Sequence, residues 1–146
     1  MQPNIHINWI SIIVATVLAF GFGGFWYGPL FGKRWGKLMG FKMDQKPNPK
    51  VMRKAFLLQF LGLAMTSYVL SYSVSVWRPS VWGLGTDSSN FSYGMCAGVI
   101  TWLGFYVPMQ LSKVAWEQRG WSLFLINSFH DFFTLQIITQ VLANFR

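Results

Sequence analysis

Charged side chains fall on this chain in clumps separated by long apolar stretches. Residues 1–32 carry no Asp, Glu, Lys or Arg, residues 55–77 and 88–112 carry none, and residues 120–145 carry only Asp131. A helix needs roughly 20 apolar residues to cross the hydrocarbon core of a bilayer. The pattern therefore predicts an all-α, integral membrane bundle of four transmembrane helices over about 8–31, 55–77, 91–112 and 121–144, in one domain covering 1–146. Punctuation between the stretches agrees. Pro47 and Pro49 interrupt the first connection, and Asn48 followed by Pro49 reads as an N-cap and first-turn proline for the second helix. Ser80 to Asn90, with Gly83, Gly85 and Asp87, reads as a turn-rich loop. Lys113 to Gly120 is a short link, and Pro29 is placed to kink the last turn of the first helix.

Charge adds an orientation. Lys33, Arg34, Lys37, Lys42, Lys46, Lys50, Arg53 and Lys54 share the segment 33–54 with one acid, Asp44. A short basic loop between apolar helices is the positive-inside signal, so 33–54 is expected in the cytoplasm, together with Lys113 and Arg119 of the third connection. The second connection carries only Arg78, the N-terminus no charge and the C-terminus Arg146, so both termini are expected outside. The net charge of +8 is thus explained by topology, and no nucleic-acid partner is expected. The expected partner is the lipid bilayer, with Lys33, Arg34 and Lys37 at the level of anionic headgroups. No basic residue precedes the first helix, so it does not resemble a cleaved signal peptide. A single cysteine, Cys96, makes no intrachain disulfide.

Glycine suggests how the helices meet. Gly24, Gly28, Gly32, Gly36 and Gly40 recur every four residues. In lipid, a stripe without side chains admits a close neighbouring helix. Gly24, Gly28 and Gly32 are the expected packing positions, serving a homo-oligomer or contacts with other membrane subunits. Trp26, Tyr27 and Trp35 flank the exit of the first helix as an expected interfacial aromatic belt.

Candidate chemistry lies on the fourth helix. With 100° per residue and Asn127 at zero, Asp131 falls at about 40°, Thr134 at about −20° and His130 at about −60°, while Gln136 and Gln140 fall at about 180° and 220°. Asp131 stands ten residues after Trp121, near the bilayer centre, where an aspartate costs about 3 kcal/mol. Asp131, His130, Asn127 and Thr134 form a candidate ion or proton site. The plainer reading is a polar contact that holds helices together. On the second helix, Ser67, Ser71 and Ser75 share a face and read as small-residue packing with hydroxyls bonded to their own backbone, or else as a wet path. His6 and His130 lie far apart in sequence and Cys96 has no near partner, so no metal site is expected. No catalytic triad can be read, and no cofactor is indicated.

Two further patterns remain. Phe25-Trp-Tyr-Gly-Pro29 with Lys33 and Trp35 echoes Phe105-Tyr-Val-Pro108 with Lys113 and Trp116, which fits two parallel helical hairpins related by an axis along the membrane normal. The block Phe25–Gly40, Trp102-Leu-Gly-Phe105, and Glu117-Gln-Arg-Gly-Trp121 running into Leu123-Phe-Leu-Ile-Asn127 also resemble a bacterial family, domain of unknown function 1761. The resemblance implies a small four-helix protein of the bacterial inner membrane and no assigned chemistry. Its pattern has aromatic or apolar residues after Asn127, so His130–Asp131 departs from it. The sequence leaves two functions in view: a small homo-oligomeric channel or carrier built on the fourth-helix site, or a structural or accessory subunit of a larger membrane assembly. A membrane enzyme ranks below both, because no nucleophile or paired acid and base is visible.

Overall fold

The computed structural model describes residues 2–42 and 44–145; Arg146, placed outside by the sequence reading, lies beyond the described residues. Every regular element among them is helical. The order is α1 (Trp9–Phe25), a π-helical turn (Trp26–Leu30), α2 (Gly32–Leu38), α3 (Pro49–Val76), a 3-10 turn (Pro79–Trp82), α4 (Asn90–Thr101), a second π-helical turn (Trp102–Tyr106), α5 (Val107–Trp116) and α6 (Trp121–Asn144). Three helical runs are long and apolar enough to cross a membrane: Trp9–Leu30, Pro49–Val76 and Asn90–Trp116.

Local sequence fixes the helix starts. Asn8 Oδ1 accepts from the backbone N–H groups of Ile10 and Ser11 at 3.0 and 3.3 Å. Asn48 Oδ1 accepts from Lys50 N at 3.0 Å, with Pro49 in the first turn, as its position implies. Ser89 Oγ accepts from Ser92 N at 3.2 Å. The second helix therefore begins at Pro49, about one and a half turns before the expected membrane entry. The third runs on to Trp116 because Pro108 falls in the first turn after the π segment, where its missing N–H costs little. The segment 33–54 is accordingly not a plain loop: it contains α2 and the opening turns of α3.

Pro29 sits inside the first π turn. There the N–H of Phe31 reaches the carbonyl of Trp26 at 2.9 Å, a five-residue bond. A Cβ on Gly32 would lie 2.5 Å from the Tyr27 carbonyl oxygen, so Gly32 serves this turn rather than a neighbouring helix. Gly40, at φ 79°, closes α2, with Phe41 N bonded to Gly36 O at 2.9 Å and Gly40 N to Lys37 O at 3.1 Å.

α6 is the central element, packed on α1, α3, α4 and α5, while α2 folds back against it. The core holds Ile12, Ala15 and Ala19 of α1, Leu63, Leu70 and Val74 of α3, Ala97 of α4, and Leu135, Ile138, Leu142 and Ala143 of α6. At one end, Asn4 N bonds Val81 O at 3.0 Å, and the Arg78 guanidinium donates to Ala143 O at 2.9 Å. The N-terminal segment, the α3–α4 connection and the end of α6 therefore share one end of the bundle. Arg78 is only 1% exposed there; it also donates to Asn90 Oδ1 at 2.8 Å, lies 3.5 Å from Asp87 and stacks over Tyr93.

Within the chain, close glycine contacts between helices are made by α4. A Cβ added to Gly24 or Gly28 would meet nothing within 4 Å, so within the chain these glycines face outward. The close approach is made by Gly94 and Gly98 of α4. A Cβ on Gly94 would lie 2.8 Å from the Gln140 side chain, and one on Gly98 would lie 2.9 Å from Thr139 Oγ1. Gln140 Nε2 donates to Phe91 O at 3.1 Å and Gln136 Nε2 lies 3.4 Å from Met95 O. Spacing alone could not separate these two glycine pairs, because both satisfy it. The serine face of α3 packs as its plainer reading held. Ser67 and Ser71 are buried, Ser71 and Ser75 donate to the carbonyls of Tyr68 and Ser71 at 2.6 and 2.8 Å, and Thr16 Oγ1 donates to Ser67 Oγ at 3.2 Å.

Candidate functional site

The polar face of α6 turns inward, toward α1, its π turn and α5. Asn127, His130, Asp131 and Thr134 come together there, as helical geometry requires. His130 is 7% exposed. Its Nδ1 lies 3.4 Å from Asp131 Oδ1 and its Nε2 lies 3.4 Å from Thr134 Oγ1. Asp131 Oδ2 accepts from Gln110 Nε2 of α5 at 2.7 Å. Asn127 Oδ1 accepts from the Tyr27 hydroxyl at 2.9 Å. Each polar side chain of the fourth-helix face is thus partnered, which is what burial of an amide, an imidazole and a carboxyl demands.

Aromatic rings enclose the imidazole. Phe22 stacks on it with ring centroids 5.9 Å apart and an interplanar angle of 15°, and Tyr27 approaches to 4.6 Å. A Cβ on Gly23 would stand 3.4 Å from His130 Nε2, so Gly23 gives the imidazole its room against α1. Trp26 is buried and turns inward: its indole N–H lies 3.2 Å from Ile126 O. Trp26 and Tyr27 therefore do not form the interfacial belt expected of them. The π turn adds a residue to one helical turn and swings both rings toward α6. Trp35 follows, packed on Tyr27 at 5.0 Å.

The second π turn repeats the device. Trp102 opens it and donates its indole N–H to Ser128 O at 2.8 Å. Trp26 and Trp102 thus bond carbonyls two residues apart on α6, immediately before His130. The structural correspondence pairs Trp26 with Trp102, about one turn earlier in the third span than the Phe25–Pro29 and Phe105–Pro108 match.

A partly enclosed cavity of about 10 Å³ lies beside the cluster, bounded by Gln110, Lys113, Arg119 and Asn127 among others. That is room for about one water. Toward the other end the cluster meets the apolar core of Ala15, Ala19, Leu135, Ile138 and Leu142. Among the described residues no three side chains of His, Cys, Asp or Glu gather as metal ligands. The arrangement gathers a carboxyl and an imidazole in one contact, with the amides of Asn127 and Gln110 and the hydroxyls of Tyr27 and Thr134 around them.

Gln110 and Tyr27 were not singled out for this site from the sequence. Gln110 carried a signal, being a long amide inside the third uncharged stretch. Tyr27 carried none, because an aromatic at a helix exit ordinarily faces the interface. Lys33, Arg34 and Lys37 lie exposed on α2.

These features describe a small all-α chain with three helical runs of membrane-spanning length and a polar cluster beside its apolar core. The chain belongs to the family described as Protein of unknown function (DUF1761), whose model matches residues 10–143. No curated protein and no solved structure matches it.

Proposed function

We propose that the chain crosses a bacterial inner membrane four times and acts as a small homo-oligomeric carrier in which His130 and Asp131 take up a proton. The observation that carries this reading is the part-buried His130–Asp131 contact, held by Gln110 beside a partly open cavity on the basic side and backed by an apolar core on the other. A carrier is favoured over a channel because the cavity beside the site holds about one water and the apolar core lies toward the other end. Intramembrane acids and imidazoles turned toward a bundle interior are the usual elements of proton relays.

Four crossings are supported by the length and place of α6. Its 24 residues span roughly 36 Å. Its polar side chains lower its apolar character, yet Asn127, Asp131, Gln136 and Gln140 bond to residues of the other helical segments. The +7 of segment 33–54 supports a cytoplasmic basic end, with both termini outside. Reporter fusions at Asp44 and Asp87 should report cytoplasm and exterior respectively; the reverse pattern overturns the orientation.

The transport reading is tested with purified protein in liposomes under an imposed potential, followed with an internal pH dye. Wild type should acidify the lumen and Asp131→Asn should not, with helicity and oligomer mass unchanged. Equal flux from both proteins overturns the role of Asp131.

The second reading, an accessory subunit, draws on the same outward surfaces that a homo-oligomer would use. Gly21, Gly24 and Gly28 form an outward stripe on α1, and residues 50–62 of α3 are exposed. Native mass spectrometry separates the two: a symmetric homo-oligomer supports the carrier, and co-purified unrelated chains support the subunit.

A further inference from the structure

α2 begins two residues after the candidate span Trp9–Leu30 ends, so it stands at headgroup depth if α1 crosses the bilayer. It is short and two-sided. Taking Lys33 as zero, Lys37 falls at about 40° and Arg34 at about 100°, whereas Trp35 and Gly36 fall at about 200° and 300°. The structure matches this division. Lys33, Arg34 and Lys37 are exposed, Gly36 is buried, and Trp35 packs on Tyr27 at 5.0 Å and on Phe41 at 5.4 Å. One arc is fixed to the body of the protein and the other presents three cations.

Among the described residues, none of those three cations is in an ion pair. Ion pairs among the described residues involve only Arg78 with Asp87, Arg119 with Glu117 and His130 with Asp131. Asp44, the one acid in the segment, pairs with none of its eight cations within 4.0 Å. Lys33 and Lys37 are one helical turn apart, about 6 Å between Cβ atoms, so both side chains can reach one phosphate. Exposed Leu38 and Phe41 lie beside them and offer apolar contact for the glycerol and upper acyl region. The Schellman closure at Gly40 and the π turn before Gly32 hold the helix at both ends, so little ordering is left to binding.

From this geometry we propose that α2 is a binding site for the headgroup of an anionic phospholipid, with Lys33, Arg34 and Lys37 on the phosphate and Leu38 and Phe41 against the lipid body. This goes beyond the expected diffuse attraction of a basic loop, because it assigns the lipid to one rigid helix and not to the whole +7 segment. It is independent of the proton site.

The test uses detergent-purified full-length protein and native mass spectrometry, with phosphatidylglycerol and phosphatidylcholine added at equal concentration. Wild type should retain phosphatidylglycerol at least tenfold over phosphatidylcholine. The Lys33→Gln/Arg34→Gln/Lys37→Gln variant should lose that preference to within twofold. A control with the same charge loss, Lys50→Gln/Arg53→Gln/Lys54→Gln on α3, should keep more than half of it. Lys33→Arg/Lys37→Arg should keep it in full, so loss of fold is told apart from loss of charge. Equal loss in the α2 and α3 triple variants overturns the site in favour of diffuse charge. Equal retention of the two lipids by wild type also overturns it, as does displacement of phosphatidylglycerol by excess inorganic phosphate.

Discussion

α6 carries polar side chains on two opposite faces, and the two are used differently. On one face Gln136, Thr139 and Gln140 lie against Gly94 and Gly98 of α4, neutral groups pressed on bare backbone. On the other, Asn127, His130, Asp131 and Thr134 meet Tyr27 and Gln110 among aromatic rings, with a cavity alongside. The first face has no titratable group and no spare room, which suits permanent helix association. The second has two titratable groups on α6 and a cavity alongside with space for about one water. Polarity inside a bundle is therefore not one signal; its meaning depends on whether the opposing surface is glycine or another proton-bearing side chain.

The largest effect should come from the glycine face. Gly98→Leu places a side chain where even a Cβ would stand 2.9 Å from Thr139 Oγ1, and should cost about 3 kcal/mol or more. A fall in thermal midpoint in detergent checks it, and a silent variant would mean that α4 and α6 are not in close contact. Next is Asp131→Leu, which leaves the Gln110 amide without its acceptor and should cost about 1–3 kcal/mol. Asp131→Asn keeps an acceptor oxygen for Gln110 and should change stability by less than about 1 kcal/mol while removing proton uptake. If both variants keep uptake, the two faces do not differ in function. Tyr27→Phe removes the hydroxyl that reaches Asn127 and should cost about 1 kcal/mol, read as the same midpoint. The smallest effect on the chain itself is expected of Gly24→Leu. Nothing lies within 4 Å of that position, so stability should stay within about 1 kcal/mol, while native mass should shift toward monomer. A shift in stability as large as that of Gly98→Leu would erase the contrast between the two glycine pairs.

The paired tryptophans bear on the same contrast. Trp26 and Trp102 arrive from different spans through separate π turns and grip α6 at Ile126 and Ser128. At its other end α6 is held through Ala143 by Arg78. The helix that carries the titratable pair is thus restrained toward both ends by side chains of other elements.

Much of this molecule was legible one residue at a time. Long uncharged stretches gave the helices, since a helix in lipid must be apolar for its full length. Asn48–Pro49 gave a helix start, because capping is local chemistry. The shared face of Asn127, His130, Asp131 and Thr134 followed from 100° per residue, and the structure keeps them together. What only the tertiary structure decided was which surface each face meets. Gly24–Gly28 and Gly94–Gly98 have the same spacing, yet only the second is closed by another helix, because glycine spacing permits close approach without naming a partner. Trp26 and Tyr27 sit at a helix exit, yet they open a π turn and bond inward to α6, and that turn is not displayed by periodicity. Gln110 reaches Asp131 across 21 residues of chain. Periodicity reports the direction of a side chain from its own axis, whereas contact depends on where the other axes lie, and that is set by packing of the whole bundle at once.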